Sequence, residues 1–184
     1  MSGGAHVMRS RPWRLAPLVT AVFSCVSSTG RLPPSLGEAA VSVERDVYRV
    51  ARTRNGDILE LTIVATFTNR TADTVVLHPC SLGRPAVTLE KWVGGEWRSA
   101  FDQVCPDILV TNAPRLAPGE RRTDTAWIFA SLRPDSGPRF ELGSVPGLYR
   151  VVYSGAHRSW RAPGSLGPLL PKDLRVSNPF RVVE

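Results

Sequence analysis

The residues best equipped for chemistry are few and poorly grouped. The chain carries three cysteines, Cys25, Cys80 and Cys105, and three histidines, His6, His78 and His157. A structural metal needs thiolates and imidazoles at ligand spacing. His78-Pro79-Cys80 with Cys105 comes nearest, and no second Cys or His pair accompanies it. Calcium needs several oxygens converging from one loop. Asp102 and Asp107 straddle Cys105, Asp135, Glu141 and Asp173 are scattered, and no Asp-x-Asp pattern occurs. There is no Gly-x-Ser-x-Gly elbow, no His-Glu-x-x-His and no phosphate loop. His157 follows Ser154-Gly155-Ala156 with no motif around it, so a solvated, idle loop histidine is expected. These residues assign no catalytic, cofactor-binding or metal-binding role, and the expected protein is not an enzyme.

An odd cysteine count in an exported chain needs an account, and the N-terminus supplies one. Arg9, Arg11 and Arg14 form a charged segment before the apolar run Leu15–Phe23. That run is nine residues long, too short to span a bilayer as a helix. Val22-Phe23-Ser24-Cys25 then resembles a bacterial lipobox, with an aliphatic residue three before the cysteine and a small one directly before it. The resemblance implies that residues 1–24 are a signal peptide, that Cys25 is the lipidation site, and that the chain is exported and held to a membrane by that lipid. Residues 25–38 read as a flexible tether, dominated by Ser, Thr, Gly and Pro. Fully extended, Val26–Glu38 would reach roughly 40 Å. With Cys25 lipidated, Cys80 and Cys105 remain as a pair for a disulfide in an oxidising compartment. Free thiols, or a metal shared with His78, are the alternatives.

Composition narrows the partners. The net charge of +7 includes three arginines of the expected signal peptide, and falls by 3 to +4 without them. Lysine occurs only at Lys91 and Lys172, and the arginines are scattered, with no basic stripe interleaved with aromatics. A nucleic-acid partner is not expected.

The body of the chain, residues 39–184, has the period of strands. Leu59, Leu61, Ile63, Ala65 and Phe67 alternate with Glu60, Thr62, Val64, Thr66 and Thr68, a period of two rich in β-branched residues. Asn55-Gly56 before it is a hairpin turn signal. In Val41–Ala51 the apolar parity changes near Arg45-Asp46, which predicts a bulge or a strand that switches sheets. Val75–Leu77 and the stretch from Cys105 to Val110 read as short strands. Val87–Phe101 reads as a hairpin turning at Gly94-Gly95, with Cys80 and Cys105 flanking its open end. Trp92 and Trp97 sit on opposite sides of that turn, to pair across it, cover a sheet face or pack in the core. Arg121–Ala130 is a strand with Trp127 and Phe129 on one parity and Ala126 and Ile128 on the other. Gly155–Lys172 reads as a long loop. Leu174–Val183 closes the domain with Phe180 and Val182 buried, and Pro179 argues for an edge or a bulge there.

Two punctuation marks carry the fold. Leu142-Gly143-Ser144-Val145-Pro146-Gly147-Leu148-Tyr149 resembles the Leu-x-x-x-Pro-Gly-x-Tyr corner of immunoglobulin-like and fibronectin-like domains. Leu116-Ala117-Pro118-Gly119-Glu120 resembles a turn of bacterial immunoglobulin-like modules. Together they imply an all-β fold, an immunoglobulin-like, Greek-key antiparallel β-sandwich with Tyr149, Pro146 and Gly147 as its structural corner. Val151 stands where an immunoglobulin domain has its second cysteine, so a Cys80–Cys105 bridge would be local. The expected function is a monomeric cell-envelope lipoprotein that binds an envelope protein or glycan or supports an envelope assembly, without a cofactor. The alternative is a protease inhibitor acting through Gly155–Lys172, because small bacterial sandwich inhibitors resemble this layout.

Overall fold

A computed structural model describes residues 40–53, 56, 58–81, 84–103, 105, 113–131, 140, 144–158 and 167–184. All belong to one compact unit, Arg31–Glu184. The expected signal peptide, His6, Cys25 and the tether lie outside the described residues, as do Asn55, 106–112 with Asp107, Asp135, Glu141 and 159–166.

The fold is all-β. Its strands in chain order are β1 (Val41–Val43), β2 (Val47–Arg49), β3 (Ala51–Arg52), β4 (Ile58–Thr68), β5 (Val75–Leu77), β6 (Pro79–Ser81) and β7 (Arg84–Pro85). They continue as β8 (Val87–Val93), β9 (Glu96–Asp102), β10 (Arg115–Leu116), β11 (Arg121–Ser131), β12 (Gly147–Tyr153), β13 (Ala156–Arg158) and β14 (Phe180–Val183). The first sheet has the order β1-β4-β11, with β3 also paired to β4. The second has the order β2-β14-β12-β8-β9. A small third sheet is β10-β5-β13, and β6 and β7 form a ribbon of their own.

The parity change in the opening segment has its structural cause here. β1 pairs with β4 in the first sheet, while β2 pairs with β14 in the second, so the chain changes sheets between Val43 and Val47. The β2–β14 pairing is parallel, unlike the antiparallel pairing expected throughout. The Asn55-Gly56 signal corresponds to the β3–β4 turn, where Thr53 N donates to Ile58 O and Gly56 takes φ +71°. In β4 the predicted alternation is realised: Leu59, Leu61, Ile63, Ala65 and Phe67 are buried, and the intervening side chains face outward.

The two larger sheets enclose one core. Phe67 from the first lies 5.3 Å from Tyr153 of the second, ring centre to ring centre. The Tyr153 hydroxyl donates to Ala65 O across the interface. Burial pushes that phenol's pKa up, with the Asp124 carboxylate adding to the effect. Tyr149 is fully buried against Phe140 and Phe180. Its hydroxyl donates to Val145 O at 2.5 Å, four residues upstream, which is the geometry of a tyrosine corner. Burial raises its pKa to about 12. Gly147 has a steric reason to be glycine. A Cβ there would collide with Lys91 Cε, and the buried lysine stem would have to leave the path by which Nζ donates to Ser144 O at 2.5 Å. Lys91 is buried, and burial holds its pKa below the ordinary lysine value.

The second punctuation mark is tied by Asn69. Its side-chain amide is buried and donates to Asp73 O and Leu116 O, while its Oδ1 accepts from Thr71. Gly119 N donates back to Asn69 O, and Glu120 Oε2 caps Ala117 N. Gly119 takes φ +80°, the left-handed conformation that the Pro-Gly pair of such a turn requires.

Three expectations need correction. β14 is flanked by β2 and β12, so it is not an edge strand; Pro179 stands directly before it, where the missing N–H costs no ladder bond. The stretch Gly155–Lys172 is not simply a loop. Ala156–Arg158 is β13, paired with β5, and Arg158 N and Leu170 N close a second ladder with Pro168 O and Ala156 O. His157 accordingly lies in a strand, and its Nδ1 donates to Gly167 O at 2.9 Å, so it is neither idle nor in a loop. The short strands β6, β7 and β10 carry no periodic signal. Cys105 itself is not in a strand, and the remainder of the strand expected there lies outside the described residues.

Candidate binding face

The expected chemistry residues do not converge. Among the described residues, no group of three or more His, Cys, Asp or Glu side chains is placed to hold a metal ion. Cys80 and Cys105 form a disulfide with a Cα–Cα separation of 4.6 Å. Asp102 accepts from Ser99 Oγ within its own hairpin. His157 is engaged with the loop carbonyl, and Tyr149, Pro146 and Gly147 are structural. No described helix is long and apolar enough to cross a membrane.

What the fold does assemble is a face. β11 lies beside β4 in an eleven-residue antiparallel register. Residues opposite one another share a side of the sheet. Inward, Ile128 and Ala130 oppose Leu61 and Leu59 and are buried. Outward, Trp127 opposes Thr62, Phe129 opposes Glu60 and Ser131 opposes Ile58. Trp127 is 47% exposed, Phe129 48% and Ile58 40%. The outward side continues as hydroxyls, with Thr66 and Thr123 hydrogen-bonded at 2.8 Å.

A groove of about 530 Å³ opens beside β4. Glu60 and Thr62, the cross-strand neighbours of Phe129 and Trp127, form one wall. Arg45, Val47, Tyr48 and Arg49 form the other, and Ala51 completes the lining. Val47 is 49% exposed. Tyr48 is buried, its hydroxyl accepting from Arg45 N and donating to Val64 O. Burial, the largest influence, raises the Tyr48 pKa, so the phenol stays protonated. Of the five large apolar side chains left exposed among the described residues, four (Val47, Ile58, Trp127 and Phe129) border this one face. Contiguous exposed apolar surface is uncommon unless something binds there.

Cations rim the face. The Arg84 guanidinium lies 3.9 Å from the Trp127 ring centre. Arg49 donates to the Glu184 main-chain carbonyl. No carboxylate of the described residues forms an ion pair with Arg45, Arg49 or Arg84. The arrangement offers exposed rings, hydroxyls and guanidinium groups without a carboxylate partner among the described residues, groups that can stack on and hydrogen-bond a ligand.

Known proteins add little to this geometry. No family model matches the chain, and no curated protein matches it. A solved structure of the Pseudomonas fluorescens alkylpurine DNA glycosylase AlkC, bound to DNA containing an abasic site analog, is similar at a TM-score of 0.30 and 12% identity. The match covers 80% of this chain and 31% of that one, so this chain spans under a third of the other's length. Likeness at that level bears on neither fold nor function.

Sequence reasoning placed Trp127 and Phe129 together on one parity and left open which parity faces solvent. The usable signal was on the opposite side. Ala126 and Ala130 are small enough to lie over Ile63 and Leu59, whereas two large rings there would overfill the core. Arg84 and the Arg45–Arg49 wall had no local signal, because β7 and β2 reach the face only through tertiary packing.

Proposed function

We propose that the chain is a non-enzymatic binding module of the cell envelope, exported and anchored by lipid at Cys25, with an immunoglobulin-like Greek-key sandwich as its scaffold. The observation that carries this reading is the exposed face of β4 and β11, where Trp127 and Phe129 stand across β4 from a groove whose arginines, Arg45 and Arg49, have no carboxylate ion partner among the described residues. The corner at Tyr149 and the turn at Leu116–Glu120 support the scaffold assignment. The lipobox-like Val22–Cys25 supports the anchor. The partner is an envelope protein or glycan. The test is retention from an envelope extract on immobilised full chain, compared with a Trp127→Ala/Phe129→Ala variant. A component retained by the wild type and lost with the variant is expected. Equal retention by both removes the face from the reading. Mass spectrometry of the N-terminus should show an acylated Cys25, and an unmodified N-terminus beyond Cys25 defeats the anchor.

Loop-mediated protease inhibition is the second reading. It is favoured by the ladder that braces both ends of the loop, in which Arg158 N bonds Pro168 O and His157 Nδ1 bonds Gly167 O. The described flanks of the stretch, 155–158 and 167–172, are thereby held together, as the ends of an inhibitory loop must be. Inhibition of any member of a protease panel, abolished by replacing residues 159–166 with a glycine-serine linker, would move the function to this loop.

A further inference from the structure

The face has a chemical bias that narrows its ligand. Trp127 and Phe129 are two residues apart on one strand and project from the same side, so their attachment points lie about 7 Å apart. They form a short track on a flat surface. Rings held this way stack well on planar or flat apolar faces, and a pyranose ring presents such a face through its axial C–H bonds. Beside the track the sheet shows hydroxyls, Thr62 next to Trp127 and Thr125 one pair further along. Arg45 and Arg49 stand across the groove from Glu60 and Thr62, and Arg84 covers part of Trp127. The groove holds one carboxylate, Glu60, against two guanidinium groups. A planar guanidinium meets a carboxylate with two parallel hydrogen bonds. The main chain of β4 is laddered by β11 along its length and by β3 at Leu59 and Glu60, so an extended peptide gains no strand pairing at Glu60.

We infer that this face binds a carboxylated oligosaccharide: sugar rings lie over Phe129 and Trp127, a carboxylate is held by Arg45 and Arg49, and sugar hydroxyls are met by Glu60 and Thr62. The inference rests on the binding-face reading above and specifies its ligand.

Calorimetric titration of the purified full chain with an oligouronate panel (galacturonate, glucuronate and mannuronate oligomers), alongside neutral oligosaccharides of the same length, tests it. At least one oligouronate should bind about tenfold or more tighter than its neutral counterpart. Arg45→Gln/Arg49→Gln should erase that preference and leave thermal unfolding unchanged. Phe129→Ala should weaken acidic and neutral ligands alike. Added salt should weaken the acidic ligand selectively, since screening acts on the exposed guanidinium contacts. Equal affinity for acidic and neutral sugars overturns the carboxylate assignment. Failure of every oligouronate to bind overturns the ligand class. If an acidic peptide containing aromatic residues binds instead, and needs the same arginines and rings, the glycan proposal falls while the binding face stands. If extract components are retained independently of Trp127 and Phe129, both fall.

Discussion

Two clusters in this molecule are built from the same parts, a tryptophan with an arginine stacked on it, and they end in opposite states. In the second sheet Trp97 pairs with Trp92 across the β8–β9 hairpin, ring centres 5.2 Å apart, and Arg150 lies 4.5 Å from the Trp97 ring. Arg150 is then bonded by Glu90 at 2.5 and 2.7 Å, and Glu90 also pairs with Lys172. The Arg150 and Glu90 side chains are only 11% and 12% exposed. Every charge and ring in that cluster has a partner. In the first sheet Trp127 carries Arg84 in the same manner, yet among the described residues Arg84 meets no carboxylate and Phe129 no ring partner. The closed cluster spends its interactions on holding β8, β9 and β12 together. The open one leaves its rings and its guanidinium groups without a carboxylate partner among the described residues, and the proposed binding face rests on that difference.

The comparison breaks first if the closed side is not a structural frame. Tyr149 anchors its inner layer. Tyr149→Ala should cost about 3–5 kcal/mol through a buried cavity. Tyr149→Phe should cost about 1–3 kcal/mol, because it orphans the Val145 carbonyl. Chemical denaturation measures both, and wild-type midpoints for the pair would remove the corner from the frame. The disulfide comes next. Its 25-residue separation gives roughly 3–4 kcal/mol by chain entropy. Reduction should lower the unfolding midpoint while circular dichroism still reports a folded sheet at ambient temperature, since most of the core lies outside that loop. Unfolding at once on reduction would show that the bridge holds the whole domain.

Glu90 sharpens the comparison through pH. Burial alone would raise its carboxyl, but hydrogen bonds from Lys172 and Arg150 outweigh burial and the net shift is downward. A depressed folded pKa means the pairing is fully present above the ordinary value of 4.5 and is lost as pH falls through the lower folded value. Wild-type stability should therefore drop below pH 4.5 more steeply than that of Glu90→Gln. The substitution itself should cost about 1–3 kcal/mol at neutral pH, having removed a buried charged acceptor. Parallel acid profiles for the two proteins would mean that Glu90 is solvated, and that the closed cluster is not closed.

How much of this was legible in the sequence depends on whether a residue's role is local. β4 was legible because one face is wholly apolar and the other mostly polar, with Glu60, Thr62, Thr66 and Thr68, so the period of two also told inside from outside. β11 was half legible: Trp127, Ile128, Phe129 and Ala130 are all apolar, so the alternation was visible and its direction was not. The turns at Gly94-Gly95 and Pro118-Gly119 were legible because they need positive φ, and both sites have it. Pro179 misled because a proline before a strand and a proline at an edge look alike without the neighbouring strands. His157 misled because its ladder partner, Leu169, is twelve residues away across a stretch rich in Gly and Pro. The candidate face was the least legible part. Its arginines come from β2, the residues just before it, and β7, strands too short to show a period, and their meeting on one face is a product of the packed sheets.

The smallest effect is the most diagnostic of the contrast. Trp97→Thr removes a ring pair and a stacked cation from a partly buried position while keeping a β-branched residue in the strand. It should cost about 1–2 kcal/mol, the sum of an aromatic pair and a cation–π contact. Phe129→Thr makes the same kind of change on the open face. There the ring is 48% exposed and has no described ring or guanidinium partner. Its loss should stay within about 0.5 kcal/mol of wild type, the range of surface substitutions that break no specific feature. Threonine also suits the site, which lies among Thr62, Thr123 and Thr125 on the outward side. The two variants, compared in one denaturant series, separate a ring used for folding from a ring left for binding. If Phe129→Thr proves as costly as Trp97→Thr, then another part of the chain covers Phe129 in solution, and the face is closed like its counterpart.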